Sequence, residues 1–282
     1  MDIFGRICSL IASDRPGRKV GPLLGPELLG EAVALINKRS SAAIVTGFFV
    51  PSSGAPETDG IGGAVMLGRS LARCGRDVEL FTDPLCFTVL DACSRAVRGP
   101  VVRSVESVEE ILSSSPSLLV FIERLGRASD GRYYNMRGED ISSATAPLDD
   151  AASIALGAGT PVLAIGDGGN EVGMGNFRRR LAELLPGYAG CLSVTKATVT
   201  LPVDVSDWGG YALAALLSSD RDEWTGADEE EIDRMLSSLV DAGAVDGVTR
   251  RPEPTVDGFD ASVHRDVVRS LKEAVSSSIR KR

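Results

Sequence analysis

Leu118-Leu119-Val120-Phe121-Ile122, followed directly by Glu123, is the stretch on which the fold turns. An unbroken apolar run of this length reads as a strand covered on both faces, the habit of parallel sheets packed between helices. Comparable runs stand at Ala43 to Val50, Asp77 to Thr82, Val101 to Val105, Val162 to Ile165, and Leu192 to Val199 or slightly beyond. Helix-like segments separate them: Gly62 to Arg73, Leu85 to Val97, Val108 to Ser113, Leu148 to Leu156 and Phe177 to Leu185. The alternation predicts an α/β fold, with a mainly parallel, doubly wound sheet and helices on both faces. Ahead of the first strand, one amphipathic helix is expected at Pro26 to Lys38, after a Gly/Pro-rich lead. Beyond Pro202 the chain is expected to be helical, at Trp208 to Leu217, Glu229 to Val240 and Ser262 to Ser276, with Gly243 to Asp260 as an ordered loop. No repeat or long linker divides the 282 residues, so a single domain is expected.

Composition removes several classes of function. Hydrophobic residues make up 43% of the chain, enough for a sizeable core. Against 30 Lys and Arg stand 39 Asp and Glu, a formal net charge of −9. Such a surface repels phosphate backbones and anionic lipid, so neither nucleic acid nor membrane is an expected partner. The cysteines, Cys8, Cys74, Cys86, Cys93 and Cys191, are odd in number and form no C-x-x-C pair. That argues against a disulfide framework and a zinc ribbon, and for a reducing, cytoplasmic setting. No apolar stretch reaches the ~20 residues of a membrane span, and the start, cut by Asp2, Arg6 and Asp14, is a poor secretory signal. His264 is the only histidine, which excludes multi-histidine metal sites; its segment reads as a surface helix and its role as structural.

The acids carry the chemistry. In open α/β sheets, ligands bind beyond the carboxyl ends of the strands. Glu123 and Asp167 fall at such ends; Asp59 opens the next helix, Glu171 follows Asp167 by four positions, and Asp130 lies in the loop after Glu123. Gathered on one rim, these carboxylates would raise one another's pKa values or recruit a cation. Oxygen ligands without histidine suit Mg²⁺, Mn²⁺ or Ca²⁺, with Asp59, Glu123, Asp167 and Glu171 as the candidate ligands. For Asp59 and Asp83, helix capping is an equal alternative. In Gly166-Asp167-Gly168-Gly169-Asn170-Glu171-Val172-Gly173-Met174-Gly175, five glycines let a backbone bend tightly and a ligand approach. The dinucleotide fingerprint fails at Glu171 and there is no P-loop, so no nucleotide cofactor is expected. Arg124, Arg127, Arg132 and Arg137 crowd one long loop; Arg132 and Arg137, flanking Tyr133-Tyr134-Asn135, are the candidate carboxylate clamps. Thr46-Gly47-Phe48 forms a third glycine-containing rim.

These motifs resemble the D-glutamate cyclase family. T-G-F, then P-x-E-T-D-G, looks like Thr46 to Phe48 and Pro56 to Gly60, although here Glu57 follows Pro56 directly; E-R-x-G-x-A-x-D-G-x-Y-Y-N-x-R matches Glu123 to Arg137; G-D-G-G-N-E-x-G-M-G matches Gly166 to Gly175. Asp246 to Thr249 and Glu253 to Gly258 look like the family's closing loop. Lacking the extra N-terminal region of the animal form, the chain looks like a stand-alone microbial member. The resemblance implies a hydro-lyase that converts D-glutamate, a small acidic substrate, to 5-oxo-D-proline and water. It implies a site in which Asp130, Asp167 and Glu171 do the chemistry. Thr46, Gly47, Arg132, Tyr134, Asn135, Arg137, Gly168, Gly169 and Asn170 would hold the substrate, and a divalent cation would polarise its side-chain carboxyl. Asp130 would serve as base if desolvation raised its pKa. The alternatives are a metal-dependent phosphohydrolase and a non-catalytic protein binding a metabolite or cation.

Overall fold

The computed structural model describes residues 2–219 and 223–279. Its centre is a six-stranded sheet: β1 (Ser41–Thr46), β2 (Asp77–Thr82), β3 (Val101–Ser104), β4 (Leu119–Ile122), β5 (Val162–Gly166) and β6 (Val199–Pro202), in the spatial order β3-β2-β1-β4-β5-β6. Every pairing is parallel, with Ile44 opposite both Leu80 and Val120, and Ile122 opposite Ile165. The chain works outward from β1 to one edge, then crosses back to β4 and works to the other. The switch point therefore lies between β1 and β4, where such sheets open a crevice.

Alternate residues of the apolar runs feed two different cores. Ala42, Ile44, Leu80, Val120, Ile122, Leu163 and Ile165 face one side. Covering them are α1 (Ile3–Ile11), α2 (Pro26–Asn37), α3 (Ile61–Arg73) and α4 (Phe87–Ala96). Ala43, Val45, Phe81, Leu119, Phe121 and Ala164 face the other side, under α5 (Val108–Leu112) and α6 (Asp150–Gly157). Short α7 (Arg178–Leu184) packs on a separate small cluster through Leu181. The C-terminal helices α8 (Ser206–Ser218), α9 (Glu229–Asp241) and α10 (Ala261–Ile279) thicken the first side. There α8 lies against α3 so closely that a Cβ on Gly210 would stand 2.4 Å from the Gly63 carbonyl oxygen. That approach brings the start of α8 to the switch point.

Four expectations are corrected. The lead before α2 contains a helix of its own, α1, whose Ile7 and Ile11 are fully buried and whose Asp2 caps Gly5 N at 2.8 Å. The segment expected as a strand from Leu192 is loop up to β6: its amides serve other loops, with Ser193 N donating to Gly169 O and Val194 N to Arg127 O. The first strand stops at Thr46 because Gly47, at φ 111°, turns the chain; Phe49–Val50 then pairs with Ala55–Pro56 in a small antiparallel ribbon. His264 is buried, not on a surface face: α10 presses it onto α8, its Nδ1 accepts from Trp208 Nε1 at 2.9 Å, and burial lowers its pKa.

Candidate active site

β1, β4 and β5 deliver their carboxyl ends to one cavity of about 260 Å³, at the small end of ligand pockets. Arg18, Glu57, Glu123, Asn135, Asp167 and Asp257 are among the residues lining it, with Arg137 and Asn170.

Each acid is held there by local structure. Glu123 sits just past β4 at φ 45°, a left-handed conformation that costs a non-glycine residue about 1–3 kcal/mol. The turn points its carboxylate across the sheet end, where Oε2 accepts from Ser206 Oγ at 2.5 Å. Gly60 makes room for it, since a Cβ there would lie 2.2 Å from the Glu123 Cβ. Asp59 lies behind the pocket and receives the first amides of α8, Ser206 N at 3.1 Å and Asp207 N at 2.9 Å, together with Gly60 N at 2.7 Å. A carboxylate at a helix N-terminus gains from the unpaired N–H groups and the helix dipole. Asp59 is thus a cap as well as a neighbour of the pocket.

Asp167 begins the turn after β5. Its Oδ1 pairs with Arg18 Nη1 at 2.6 Å, and its Oδ2 is buried without a hydrogen-bond partner among the described residues. Glu171 folds back beneath it, Oε1 accepting from Gly168 N at 2.6 Å and Oε2 from Gly169 N at 2.8 Å. The glycine amides expected to hold a ligand are therefore engaged by the chain's own carboxylate. This corrects Gly168 and Gly169 as direct substrate contacts: they shape the turn instead. Asn170 Nδ2 donates to Tyr134 O at 2.8 Å, which fixes the amide and leaves its buried Oδ1 without a partner among the described residues.

Three charged groups of the pocket had not been assigned from the sequence: Glu57, Arg18 and Asp257. Arg18 comes from the loop after α1, which wraps around Asp204: Ser13 N, Asp14 N and Arg15 N all donate to that carboxylate at 2.8–3.1 Å. So positioned, Arg18 places Nη1 on Asp167 and Nη2 on Asp257, each at 2.6 Å. Asp257 stands at φ 56° in the closing loop, and its Oδ2 too is buried and unpartnered. That loop is braced by fully buried Asp246, which accepts from Val248 N, Thr249 N, Thr255 Oγ1 and Gly258 N. The Asp257-Gly258 turn was a local signal; Arg18, in a Gly/Pro-rich loop far away in sequence, gave none.

The rest of the expected site divides. Asn135 and Arg137 reach the mouth, Arg137 exposed with Nη2 donating to Val248 O at 3.3 Å. Thr46 is buried and Gly47 offers its carbonyl to Arg124, but neither lines the cavity. Arg124, buried, also pairs with Asp83 at 2.5 Å, and Asp83 caps Leu85 N and Cys86 N. Asp130 is the clear correction. It is exposed, and the Tyr134 hydroxyl and Arg132 amide that it accepts from push its pKa down, the reverse of what a desolvated base requires. Arg132 is likewise exposed, beside Asp130 and Asp140, and Tyr134 contributes its carbonyl to Asn170. These residues form the outer tip of a loop whose root is pinned by Asp149 to Arg127, Tyr133 and Thr195.

Burial dominates the electrostatics of the pocket. It raises the pKa of Glu57, Asp59, Glu123 and Asp167 well above ordinary carboxyl values, and neighbouring acids push in the same direction. For Asp167, Arg18 opposes the rise without cancelling it. Asp59, Asp167 and Asp257 each bring a carboxylate oxygen within 4.8 Å of the others, and so do Glu123, Asp167 and Glu171. These all-oxygen, histidine-free groups fit a hard divalent cation, and the orphaned Asp167 Oδ2 gives such an ion an open ligand atom.

A doubly wound α/β protein with a buried, acid-lined pocket at its switch point is the class that fold and site define. The chain belongs to the D-glutamate cyclase-like family: the family described as D-glutamate cyclase-like, C-terminal, matches residues 7–272. The mitochondrial D-glutamate cyclase of Homo sapiens is 29% identical over 317 aligned residues, covering 96% of this chain and 52% of that protein. The chain thus spans about half the length of that relative. A solved structure described as an exopolyphosphatase-related protein from Bacteroides fragilis aligns with 92% of this chain and 61% of its own, at a TM-score of 0.43 and 8% identity. That likeness is too loose to bear on function. Among the described residues, no helix is long and apolar enough to cross a membrane.

Proposed function

We propose that this pocket closes D-glutamate to 5-oxo-D-proline with loss of water. The observation that carries the reading is the placement of Asp167 in both acidic groups, beside Arg18, in a pocket of amino-acid size within a cyclase-like family. Ring closure joins the amine nitrogen to the side-chain carboxyl carbon and expels one carboxyl oxygen. Written over the whole step, an ammonium and a carboxylate become an amide and water. The nitrogen gives up two protons, the leaving oxygen takes both, and net charge is unchanged. The need is therefore a proton relay from nitrogen to oxygen across a short distance.

A carboxyl whose pKa is raised by burial can carry a proton near neutrality. Burial pushes Asp167 and Glu123 in that direction, and both face the cavity. Glu123, held by Ser206, gives its proton to the departing oxygen; Asp167 takes one proton from the nitrogen and passes it on to Glu123, and the second nitrogen proton leaves with the oxygen as water, so both carboxyls are restored. Arg137 at the mouth suits the α-carboxylate, and Asn135 and Met136 beside it narrow the entrance. Glu123, Asp167 and Glu171 would hold a divalent cation only as ionised carboxylates; when bound it supplies Lewis-acid polarisation of the side-chain carboxyl and would replace their part in the proton relay. Five free cysteines, two of them buried, suit a reducing compartment such as the cytoplasm. The test is incubation with D- or L-glutamate plus Mg²⁺ or Mn²⁺ and chiral detection of 5-oxoproline. Formation of the D product alone is expected. Release of phosphate from small phosphate esters, with glutamate untouched, would overturn the reading.

A further inference from the structure

Three buried acceptor atoms in the pocket have no hydrogen-bond donor among the described residues: Asp167 Oδ2, Asp257 Oδ2 and Asn170 Oδ1. A buried acceptor left unpaired has lost its water without gaining a donor, so the cluster is a standing demand for donors. All three residues line the same cavity. None of the three atoms is free to turn away. Asp167 and Asp257 are each held through Oδ1 by Arg18, and Asn170 through Nδ2 by the Tyr134 carbonyl. The arrangement therefore presents acceptors only.

We infer that Asp167, Asp257 and Asn170 form the subsite for the primary ammonium of the substrate, so that the pocket selects an amino acid over the same acid without its amine. The inference rests on the pocket being the cyclisation site. A primary ammonium carries three N–H donors, one for each orphaned acceptor. A divalent cation suits this triad less well. It would want about six oxygen ligands and would lie against the guanidinium that grips the same two aspartates. A single positive charge shared with Arg18 meets less repulsion. Asp167 also lies within 4.8 Å, oxygen to oxygen, of Glu123 and Glu171, so the ammonium subsite adjoins the carboxyl assigned to the proton relay. Asp257 and Asn170 become substrate-binding residues of the reaction.

The comparison is between D-glutamate and glutarate, which differ only by the ammonium. In the wild-type protein the Ki of glutarate as a competitive inhibitor should exceed the KM of D-glutamate by tenfold or more. Asp257→Asn keeps an oxygen for Arg18 but can turn the free position into a donor; it should raise the KM of D-glutamate at least tenfold and leave the glutarate Ki within about twofold. Asn170→Ala, which adds no charge change, should show the same split in smaller measure. Equal binding of the two ligands by the wild type, or equal weakening of both in either variant that folds, overturns the subsite. So does a loss of Mn²⁺ affinity in Asp257→Asn with no change in discrimination, because the triad would then be a metal site. If the wild type turns over no D-glutamate, the cyclase reading fails, and thermal shift decides the subsite separately. In that case 5-aminopentanoate should raise Tm where pentanoate at equal concentration does not, and equal shifts would overturn it.

Discussion

At Asp167 the charge and the shape of the side chain can be separated. Asparagine keeps the volume and an oxygen for Arg18, and removes the negative charge that faces the pocket. Loss of one preorganised electrostatic group commonly costs about a hundredfold or more in rate. We expect Asp167→Asn to lower kcat/KM by at least that factor with Tm nearly unchanged; a wild-type rate would remove the residue from the chemistry. Glu171 makes the opposite case. Its oxygens take the amides of Asp167, Gly168 and Gly169, and glutamine offers only one oxygen for them. Glu171→Gln should therefore destabilise the fold by about 1–3 kcal/mol, read from the midpoint of urea unfolding. Glu123 and Asp167 were legible because a strand end is a position defined by sequence alone. Arg18 and Asp257 were not, since only the folded chain brings the loop after α1 and the closing loop together over Asp167.

Among the elements, the strands were easiest to read where burial on both faces left an unbroken apolar run, as at β4 and β5. The run at Leu192 misled because its burial comes from loops and α7, not from a sheet neighbour. In α1 the spacing of Ile3, Phe4, Ile7 and Ile11 was visible, but Asp2 looked like an interruption when it is the N-cap. The element on which the site leans most is α8, whose start is fixed by Asp59 and whose Asp207 receives Gly63 N at 2.6 Å and the Tyr211 hydroxyl at 3.1 Å. Burial raises Asp207 to a pKa of about 7. A raised carboxyl contributes stability that is fully present below its unfolded value of about 4 and lost as pH rises through the folded value. The amide introduced by Asp207→Asn does not titrate, so that pH dependence disappears with the carboxyl. The variant should gain stability over the wild type between about pH 5 and pH 8; parallel Tm–pH curves for the two proteins would contradict this.

Over the whole molecule the same sign accumulates at one place. Glu57, Asp59, Glu123 and Asp167 all have folded pKa values raised by burial, so folding takes up protons there, and the stability they contribute at acid pH is withdrawn as pH rises through those values. Asp149 and Glu231 act in the other direction. Burial alone would raise them, but Arg127 with Tyr133, and Arg69, hold them below the ordinary range; their contribution is present at neutral pH and lost as pH falls toward and below about 4. The two sets place the stability maximum on the mildly acidic side, with a decline toward alkaline pH that originates in the pocket. A ligand that brings positive charge into the pocket removes the cause of that decline. It binds the folded state alone and stabilises by mass action, more strongly where the carboxylates are ionised. We therefore expect Tm of the ligand-free protein to fall by several degrees between about pH 5.5 and pH 8.5. Millimolar Mn²⁺ or Mg²⁺ should raise it more at the upper pH than at the lower. Scanning fluorimetry across that range, with and without each ligand, measures both effects. A flat profile that no ligand moves would mean that the pocket neither carries a charge penalty nor relieves one on binding, and the electrostatic account of the site would fall with it.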